Sequence, residues 1–493
     1  MVEHLTLNQG VQGSRPWSRT IEVLILQITV GSGLFFQGDS MITFTSLKFI
    51  LRFLVIFIFV YYLSPKRYQN TILFLGSLVF YAMGQWKYLP LLFCLTLLNY
   101  GFGKWMVSAN RLGYIKNYKT SRLALIIGVD VITLVLMKAL SLGVESILFP
   151  IGISFYIFKM ISFQIDCYKE TINKSPSFSA VAAYFTMFPQ LTQGPIMRFD
   201  SEVFEEGRKF SLINLESGME YFCIGFGMKI LLADRLAILW NEIQKIGVDS
   251  ISSPLAWMGV YGYTMELYFD FWGYSLMAAG LGIMLGFPFV ENFSHPYGSK
   301  SVSEFYRRWH VTLGTWFRDY MYFPLGGSKV DKKTTIRNLM MVWLVTGLWH
   351  GGTINFIIWG LVLGIIIVCE KFLWKDFMSK HGFLGRVLVL FVIPFTWLIF
   401  AETNLSQLGV YISKLFLIHS GNPVGDITKY LPIYGIYFIV GGVFMIPKVG
   451  KAILKQQRGF KNAVRILLLF LVFIVSLYFS AISSGNPFLY YSF

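Results

Sequence analysis

Charged side chains are scarce in this sequence. Only 14% of its 493 residues are Asp, Glu, Lys or Arg, 55% are hydrophobic, and the mean hydropathy is +0.58. Soluble domains carry about 25% charged residues, so this composition excludes a water-soluble globular protein and a disordered chain. It indicates a protein that crosses the membrane several times.

Cysteine is rarer still, with four residues in the whole sequence. Cys94, Cys167, Cys223 and Cys369 lie far apart with no CxxC spacing, which excludes a disulfide-stapled secreted domain and predicts buried free thiols. The sequence also lacks the GxSxG, HExxH, GxxxxGKS/T and strand-linked GxGxxG motifs of soluble enzymes. No spacing supports a metal site, so any chemistry is expected from histidines within the membrane.

Basic residues outnumber acidic ones by 42 to 26, which gives a net charge of +16. The polar fraction is too small for a nucleic-acid groove, so we interpret the excess as cytoplasmic loops that face anionic lipid. Two loops, at 104–122 and 448–465, are basic and free of acids. Both are predicted to be cytoplasmic, and the following run 466–493 is predicted to cross outward.

Long charge-free runs dominate the rest of the chain. They cover residues 70–86, 88–103, 175–197, 271–290, 338–369, 387–401, 430–447 and 466–493. With shorter and singly charged segments added, they predict an all-α polytopic membrane protein with roughly 11–13 helical segments. A β-barrel would show short alternating segments instead, and these are absent from the sequence.

The first forty residues differ from the rest of the chain. They are mostly polar, and their one apolar run, 23–37, is short for a spanning helix. A cleaner membrane segment opens at Met41. We therefore expect residues 1–40 to be an extension outside the working core, and residues 41–493 to form a single membrane domain with its motifs between 147 and 371.

The longest charge-free run contains a histidine. As one helix, 338–369 would extend about 48 Å, which exceeds the ~30 Å hydrocarbon core. The tetrapeptide Trp349-His350-Gly351-Gly352 is the expected break, and irregular backbone at membrane depth is tolerated only inside protein or beside a water-filled cavity. We expect His350 to face such a cavity; the alternative is a structural histidine bonded to a neighbouring carbonyl.

A second unusual segment, 301–327, alternates charged and aromatic residues. Glu304 is spaced to pair with Arg307 or Arg308 along a helix. The segment is typical either of an interfacial helix with snorkelling arginines, or of a cytoplasmic mouth whose guanidinium groups bind donor phosphates. Asp270, bracketed by apolar sequence, is expected to counter one of these arginines.

Six segments follow one another in the order found in one known protein family, at 150–170, 188–199, 268–287, 291–297, 303–327 and 346–352. They include FPQLTQGPIMRF, ENFSHPY, SEFYRRWHVTLGTWFRDYMYFPLGG and TGLWHGG. Together they resemble the membrane-bound O-acyltransferase superfamily. The PLGG sequence resembles the bacterial branch that includes the alginate O-acetylation membrane protein. One departure is HVTLGTW, where relatives often have HISLSSW.

The resemblance implies a ring of tilted helices around a central tunnel, with re-entrant or interfacial helices. It implies catalytic roles for His350, the principal histidine, and for His310. Around them, we expect Arg307, Arg308, Trp309, Trp349 and Asp270 to bind substrate. The resemblance also implies that no cofactor is bound and that the donor is a cytoplasmic thioester, either acetyl-CoA or a phosphopantetheine-carried acyl group. The acceptor would be a glycan on the opposite face, and the partner an extracytoplasmic SGNH-type protein. The protein would lie in the plasma membrane, in contact with lipid.

The expected activity is O-acyl transfer, most simply of acetyl, with neutral His350 as general base. Burial disfavours the imidazolium, and an unperturbed histidine has a pKa of about 6.5. His310 would position or polarise the donor carbonyl. An acyl-histidine relay is an alternative chemistry. A non-catalytic acyl carrier or channel that feeds an extracytoplasmic transferase is the rival function, and acylation of lipid or protein is a third.

Overall fold

The computed structural model describes residues 43–144, 149–205, 208, 210–375, 380–416, 424–455 and 460–482. Within these ranges the regular structure is helical, apart from one isolated antiparallel bridge between Phe293 and Trp309. The expectation for the N-terminal extension, 1–40, lies outside the described residues.

The described residues up to the middle of the sequence contain eleven α-helices. They are α1 (Val55–Leu63), α2 (Gln69–Gln85), α3 (Leu89–Arg111), α4 (Lys116–Gly143), α5 (Ile153–Tyr168), α6 (Phe178–Thr186), α7 (Phe188–Leu191), α8 (Ser201–Glu205), α9 (Leu212–Gly227), α10 (Asp234–Ile246) and α11 (Ser253–Met284). A π-helical segment, Lys48–Leu54, leads into α1, and another, Met228–Ala233, joins α9 to α10 without a break. Short 3₁₀ turns occur at Lys66–Tyr68, Trp86–Tyr88 and Val248–Ser250.

Nine further α-helices are described in the second part. They are α12 (Val302–Arg308), α13 (Val311–Phe317), α14 (Lys332–His350), α15 (Ile354–Phe372), α16 (Gly382–Ala401), α17 (Leu405–Leu415), α18 (Ile427–Met445), α19 (Pro447–Leu454) and α20 (Phe460–Ile482). Helix α13 continues into a π-helical segment, Arg318–Tyr322, and 3₁₀ turns occur at Pro296–Gly298 and Val424–Asp426.

Six helical stretches of the described chain are long and apolar enough to cross a membrane. They are Lys66–Arg111, Lys116–Gly143, Ile354–Phe372, Gly382–Ala401, Ile427–Met445 and Asn462–Ile482. In Lys116–Gly143 and Asn462–Ile482 only 11% of the most apolar window is buried, so their side chains face lipid. The predicted all-α polytopic membrane fold is confirmed.

Helix α11 forms the centre of the packing. It has 32 residues, and nearly all of them are buried. It approaches α9 closely because glycines face each other: a Cβ atom added to Gly280 would lie 2.5 Å from the carbonyl oxygen of Gly218. Close approach through small residues is a common way for membrane helices to associate. The close packing of α9 against α11 brings Lys229, which follows α9, next to Asp270 of α11.

A buried ion-pair cluster results from this close approach. Lys229 lies in the π-helical segment Met228–Ala233. Its Nζ lies 2.6 Å from Oδ1 of Asp270 and 2.8 Å from Oδ1 of Asp234. The expectation that Asp270 counters an arginine of the 301–327 segment is therefore wrong. The glycine contacts between α9 and α11 place the lysine beside Asp270, whereas Arg308 is engaged elsewhere, by Glu304 at 2.5 Å.

Two hydrophobic clusters make up the core. One is built mainly from the helices before α11, and the other from the helices after it, and residues of α11 belong to both. Trp349 belongs to the first cluster and Trp309 to the second. The two histidines that come directly after these tryptophans therefore lie at the junction of the two clusters.

Candidate active site

A cavity of about 970 Å³ opens between α12, α13, α14 and α15, and both His310 and His350 line it. Along α14 the lining residues are Leu339, Val342, Trp343, Thr346 and His350. Their spacing of three or four residues places them on one face of the helix. At 1.5 Å per residue the stripe is about 16 Å long, and it ends at His350.

The backbone breaks where the sequence predicts it. Helix α14 ends at His350, and α15 begins shortly afterwards, at Ile354. Gly351 allows the tight return because a Cβ atom there would overlap the ring of Phe356. The two helices therefore run antiparallel, and the turn between them carries His350 at the inner end of the cavity.

A lysine from a lipid-facing helix caps this turn. Lys138 of α4 donates hydrogen bonds from Nζ to the carbonyl oxygens of Leu348 (3.0 Å) and Trp349 (2.7 Å). The last carbonyls of a helix lack partners within the helix, and a cation there is also favoured by the helix dipole. One turn further along α4, Leu142 occupies the space that a Cβ atom on Gly352 would need. Helix α4 thus holds the turn that presents His350.

Aromatic rings surround the half-buried imidazole of His350. The ring centroids of Trp349, Trp359 and Phe400 lie 4.8, 5.2 and 5.3 Å from it. Trp349 also lies 6.4 Å from the ring of His310, centroid to centroid. A single buried indole therefore contacts both histidines, and its packing fixes the space between them.

His310 has a strained backbone. Its φ of +47° places it in the left-handed region at the N-terminus of α13. For a residue with a side chain, such a conformation costs about 1–3 kcal/mol and persists where the surroundings impose it. Here the bridge between Phe293 and Trp309 imposes it, together with a 2.9 Å hydrogen bond from the backbone N–H of Val311 to the carbonyl oxygen of Asn292.

Cations surround the other end of the cavity, which we call the cationic mouth. Its lining includes Lys300, Arg307, Arg318, Lys371 and Lys375. The acid among the lining residues, Glu370, is occupied by the backbone N–H groups of Val302 (2.6 Å) and Ser303 (2.7 Å). Cations with few free acids nearby create a positive potential that attracts anions.

The structure brings some of the predicted site residues together and separates others. His310, His350, Arg307 and Trp309 line the cavity, and Trp349 packs against both histidine rings. Arg308 and Asp270 are not among the lining residues. Arg308 pairs with Glu304, as the i,i+4 spacing predicts, and Asp270 lies in the Lys229 cluster.

Several residues of the site were not predicted as site residues from the sequence. Lys138 is the only cation in the apolar part of α4, residues 123–143, and that isolation was an available signal, since such cations need a partner. Asn292 lies in the ENFSHPY segment, but its bond to His310 depends on the bridge. Lys371 and Lys375 come after a charge-free run and looked like ordinary flanking residues of a spanning helix.

The fold and the site define a polytopic membrane protein with two histidines in a deep cavity. The membrane-bound O-acyltransferase family model matches residues 78–406. The chain is 38% identical over 380 residues to the probable alginate O-acetylase of Pseudomonas fluorescens, which covers 76% of this chain and 75% of the relative. The peptidoglycan O-acetyltransferase of Helicobacter pylori is 30% identical over 406 residues, with 72% and 75% covered. The teichoic acid D-alanyltransferase of Bacillus subtilis is 29% identical over 238 residues, with 46% and 60% covered.

The chain therefore belongs to the membrane-bound O-acyltransferase family, in the branch of the alginate O-acetylases. This confirms the resemblance drawn from the ordered motifs, and it makes the protein a multi-pass membrane O-acyltransferase. An enzyme is thus favoured over the carrier or channel that the sequence left open.

Proposed function

We propose that this enzyme transfers an acetyl group from a thioester donor at the cytoplasmic side to a hydroxyl of an extracytoplasmic polysaccharide, with His350 as general base. The observation that carries the proposal is the cavity itself, with cations at one end and both histidines at the other. The names of the relatives support acetyl transfer to a glycan, because they include O-acetylases of alginate and peptidoglycan.

The direction of the cavity supports a cytoplasmic donor. Helix α14 begins at Lys332, next to Lys329 and Lys333, and ends at His350. Basic flanks favour the cytoplasmic side, so the cationic mouth would open there and His350 would lie deep in the membrane. The phosphates of coenzyme A or of a phosphopantetheine carrier suit the mouth, since Lys and Arg bind phosphate through charge-assisted hydrogen bonds.

The chemistry assigned to His350 is proton transfer. The acceptor's O–H bond breaks as its proton passes to the imidazole and its oxygen attacks the thioester carbonyl. The new C–O bond then replaces the C–S bond, and the leaving thiolate takes the proton from the imidazolium. The products are an acetyl ester and a free thiol. General base catalysis of this kind contributes about 10²–10⁴-fold to the rate.

The acceptor side rests on the family resemblance. A glycan would approach His350 from the face opposite the donor, and an SGNH-type protein outside the plasma membrane is the expected partner on that face. No metal or bound cofactor enters this scheme, since the donor brings the activated acyl group.

The test is a complementation experiment in cells that lack the chromosomal gene. The His350→Ala variant is expected in the membrane at normal abundance, with ester acetate on the cell-envelope polysaccharide reduced to the level of the deletion strain. His381→Ala is the matched control, because His381 is exposed and is not among the lining residues. Normal acetylation with His350→Ala would refute His350 as the base.

A further inference from the structure

The side chain of Asn292 contacts the second cavity histidine, His310. Asn292 is only 3% exposed and lies after α11, in the loop that leads to the bridge. Its Oδ1 lies 3.0 Å from Nδ1 of His310 and accepts hydrogen bonds from the backbone N–H (3.3 Å) and the hydroxyl (2.9 Å) of Thr312. Three polar groups therefore converge on one amide oxygen.

The neighbours of this amide determine its orientation. A backbone N–H can only donate, so the atom that faces Thr312 N must be the amide oxygen. The other side of the amide agrees, because Nδ2 donates to Oγ of Ser275 at 3.0 Å. The reverse orientation would place the NH₂ group against the N–H of Thr312.

The orientation of the amide determines the proton on the imidazole. An amide oxygen has no hydrogen to give, so Nδ1 of His310 must be the donor in their contact. In a neutral imidazole the other nitrogen, Nε2, then carries a lone pair. Nε2 of His310 is buried and has no hydrogen-bond partner among the described residues, although the residue lines the cavity.

We propose that Asn292 is a positioning residue that holds His310 in the Nδ1–H tautomer, so that Nε2 offers a lone pair to a molecule in the acyl cavity. An imidazole in this state cannot donate a hydrogen bond from Nε2 to the thioester carbonyl. His310 would therefore accept a hydrogen bond from the bound molecule, instead of polarising the donor carbonyl as the sequence suggested.

This role deepens the proposed function and rests on it for the identity of the acceptor. A glycan carries neighbouring hydroxyl groups, so one hydroxyl can donate to Nε2 of His310 while another loses its proton to His350. Asn292 would then serve the binding of the acceptor, and the thioester donor would be unaffected. The backbone contact of Asn292 with Val311 supports the same arrangement, because it holds His310 in its left-handed conformation.

The direct test is the tautomer of His310, measured by ¹⁵N NMR on histidine-labelled protein in lipid bilayers. The chain has six histidines, and the His310→Gln spectrum identifies the signals of His310. We expect a protonated Nδ1 and an unprotonated Nε2 in the wild type and in Asn292→Asp, whose carboxylate also accepts. Asn292→Ala is expected to give a mixture of tautomers or the Nε2–H form. Asn338→Ala, which removes a buried asparagine bonded to Leu325, is the control and should leave the His310 signals unchanged.

Kinetics supply the second readout. Asn292→Ala should lower kcat/KM for the acceptor by about 10–100-fold, the range for losing one hydrogen bond to a buried group, with the donor KM unchanged. Asn292→Asp should restore most of that loss. An Nε2–H signal in the wild type would overturn the proposal, and so would an unchanged tautomer in Asn292→Ala. If Asn292→Ala does not fold, the wild-type and Asn292→Asp spectra still decide. The two proposals fail in different measurements. If His350 is not the base, His350→Ala remains active, and this outcome does not change the tautomer of His310 measured by NMR.

Discussion

Replacing Lys138 with methionine tests whether α4 holds His350 in place. The change keeps an unbranched side chain that is one atom shorter, and it removes two hydrogen bonds, to the carbonyl oxygens of Leu348 and Trp349. Hydrogen bonds between membrane helices average about 0.6 kcal/mol, and bonds to charged groups reach about 1.5–3 kcal/mol in soluble proteins. We therefore expect the free energy of unfolding to fall by about 1–3 kcal/mol.

The effect on activity should be larger than this loss of stability suggests. The two carbonyls belong to the last turn before His350, so their release lets the imidazole move relative to the bound thioester. A displacement of about 1 Å in a catalytic group can cost about 10²-fold in rate. We expect Lys138→Met to lower kcat by about 10–100-fold, with the donor KM little changed because the cationic mouth is untouched.

The assay is acetyl transfer by purified protein in liposomes, measured beside thermal unfolding in the same lipid. Lys138→Arg retains a cation with several donors and should recover most of kcat. Lys116→Met, at the exposed start of the same helix, is the matched control and should behave as the wild type. A Lys138→Met enzyme with wild-type kcat would refute the reasoning, as would Lys138→Arg with no better kcat than Lys138→Met.

Two further predictions concern residues away from His350. Lys229→Met would remove the cation that pairs with Asp270 and Asp234, so the free energy of unfolding should fall by about 3–5 kcal/mol. The kcat per folded molecule should be unchanged. A selective loss of kcat would instead place the cluster in the active site. Combined Lys371→Met and Lys375→Met should raise the donor KM about tenfold, an effect that shrinks at high ionic strength, and leave the acceptor KM unchanged. A donor KM that does not respond to these changes would remove the mouth as the phosphate site.

The sequence predicted the features that depend on composition and local pattern. Scarce charges and long apolar runs indicated a helical membrane protein, and the glycines after His350 indicated the break between α14 and α15. Helical spacing predicted that Glu304 pairs with Arg307 or Arg308, and the structure shows the i,i+4 partner, Arg308. These features were accessible because each depends on residues that are close together in the chain.

Contacts between distant segments could not be predicted in this way. Asp270 was assigned to an arginine because the sequence does not show that facing glycines bring α9 and α11 together with Lys229 between them. Lys138 reaches carbonyls more than 200 residues away, and Asn292 meets His310 only through the Phe293–Trp309 bridge. Charge and helical period contain no information about such pairings.

The central claim is that this chain itself transfers the acyl group and uses His350 to do so. The most direct measurement is a single-turnover reaction of the purified protein in liposomes, with an acetyl-labelled thioester, a soluble oligosaccharide and no other protein. Labelled ester should form with the wild type and with His381→Ala, and none above background with His350→Ala. Ester formation by His350→Ala at the wild-type rate would contradict the account.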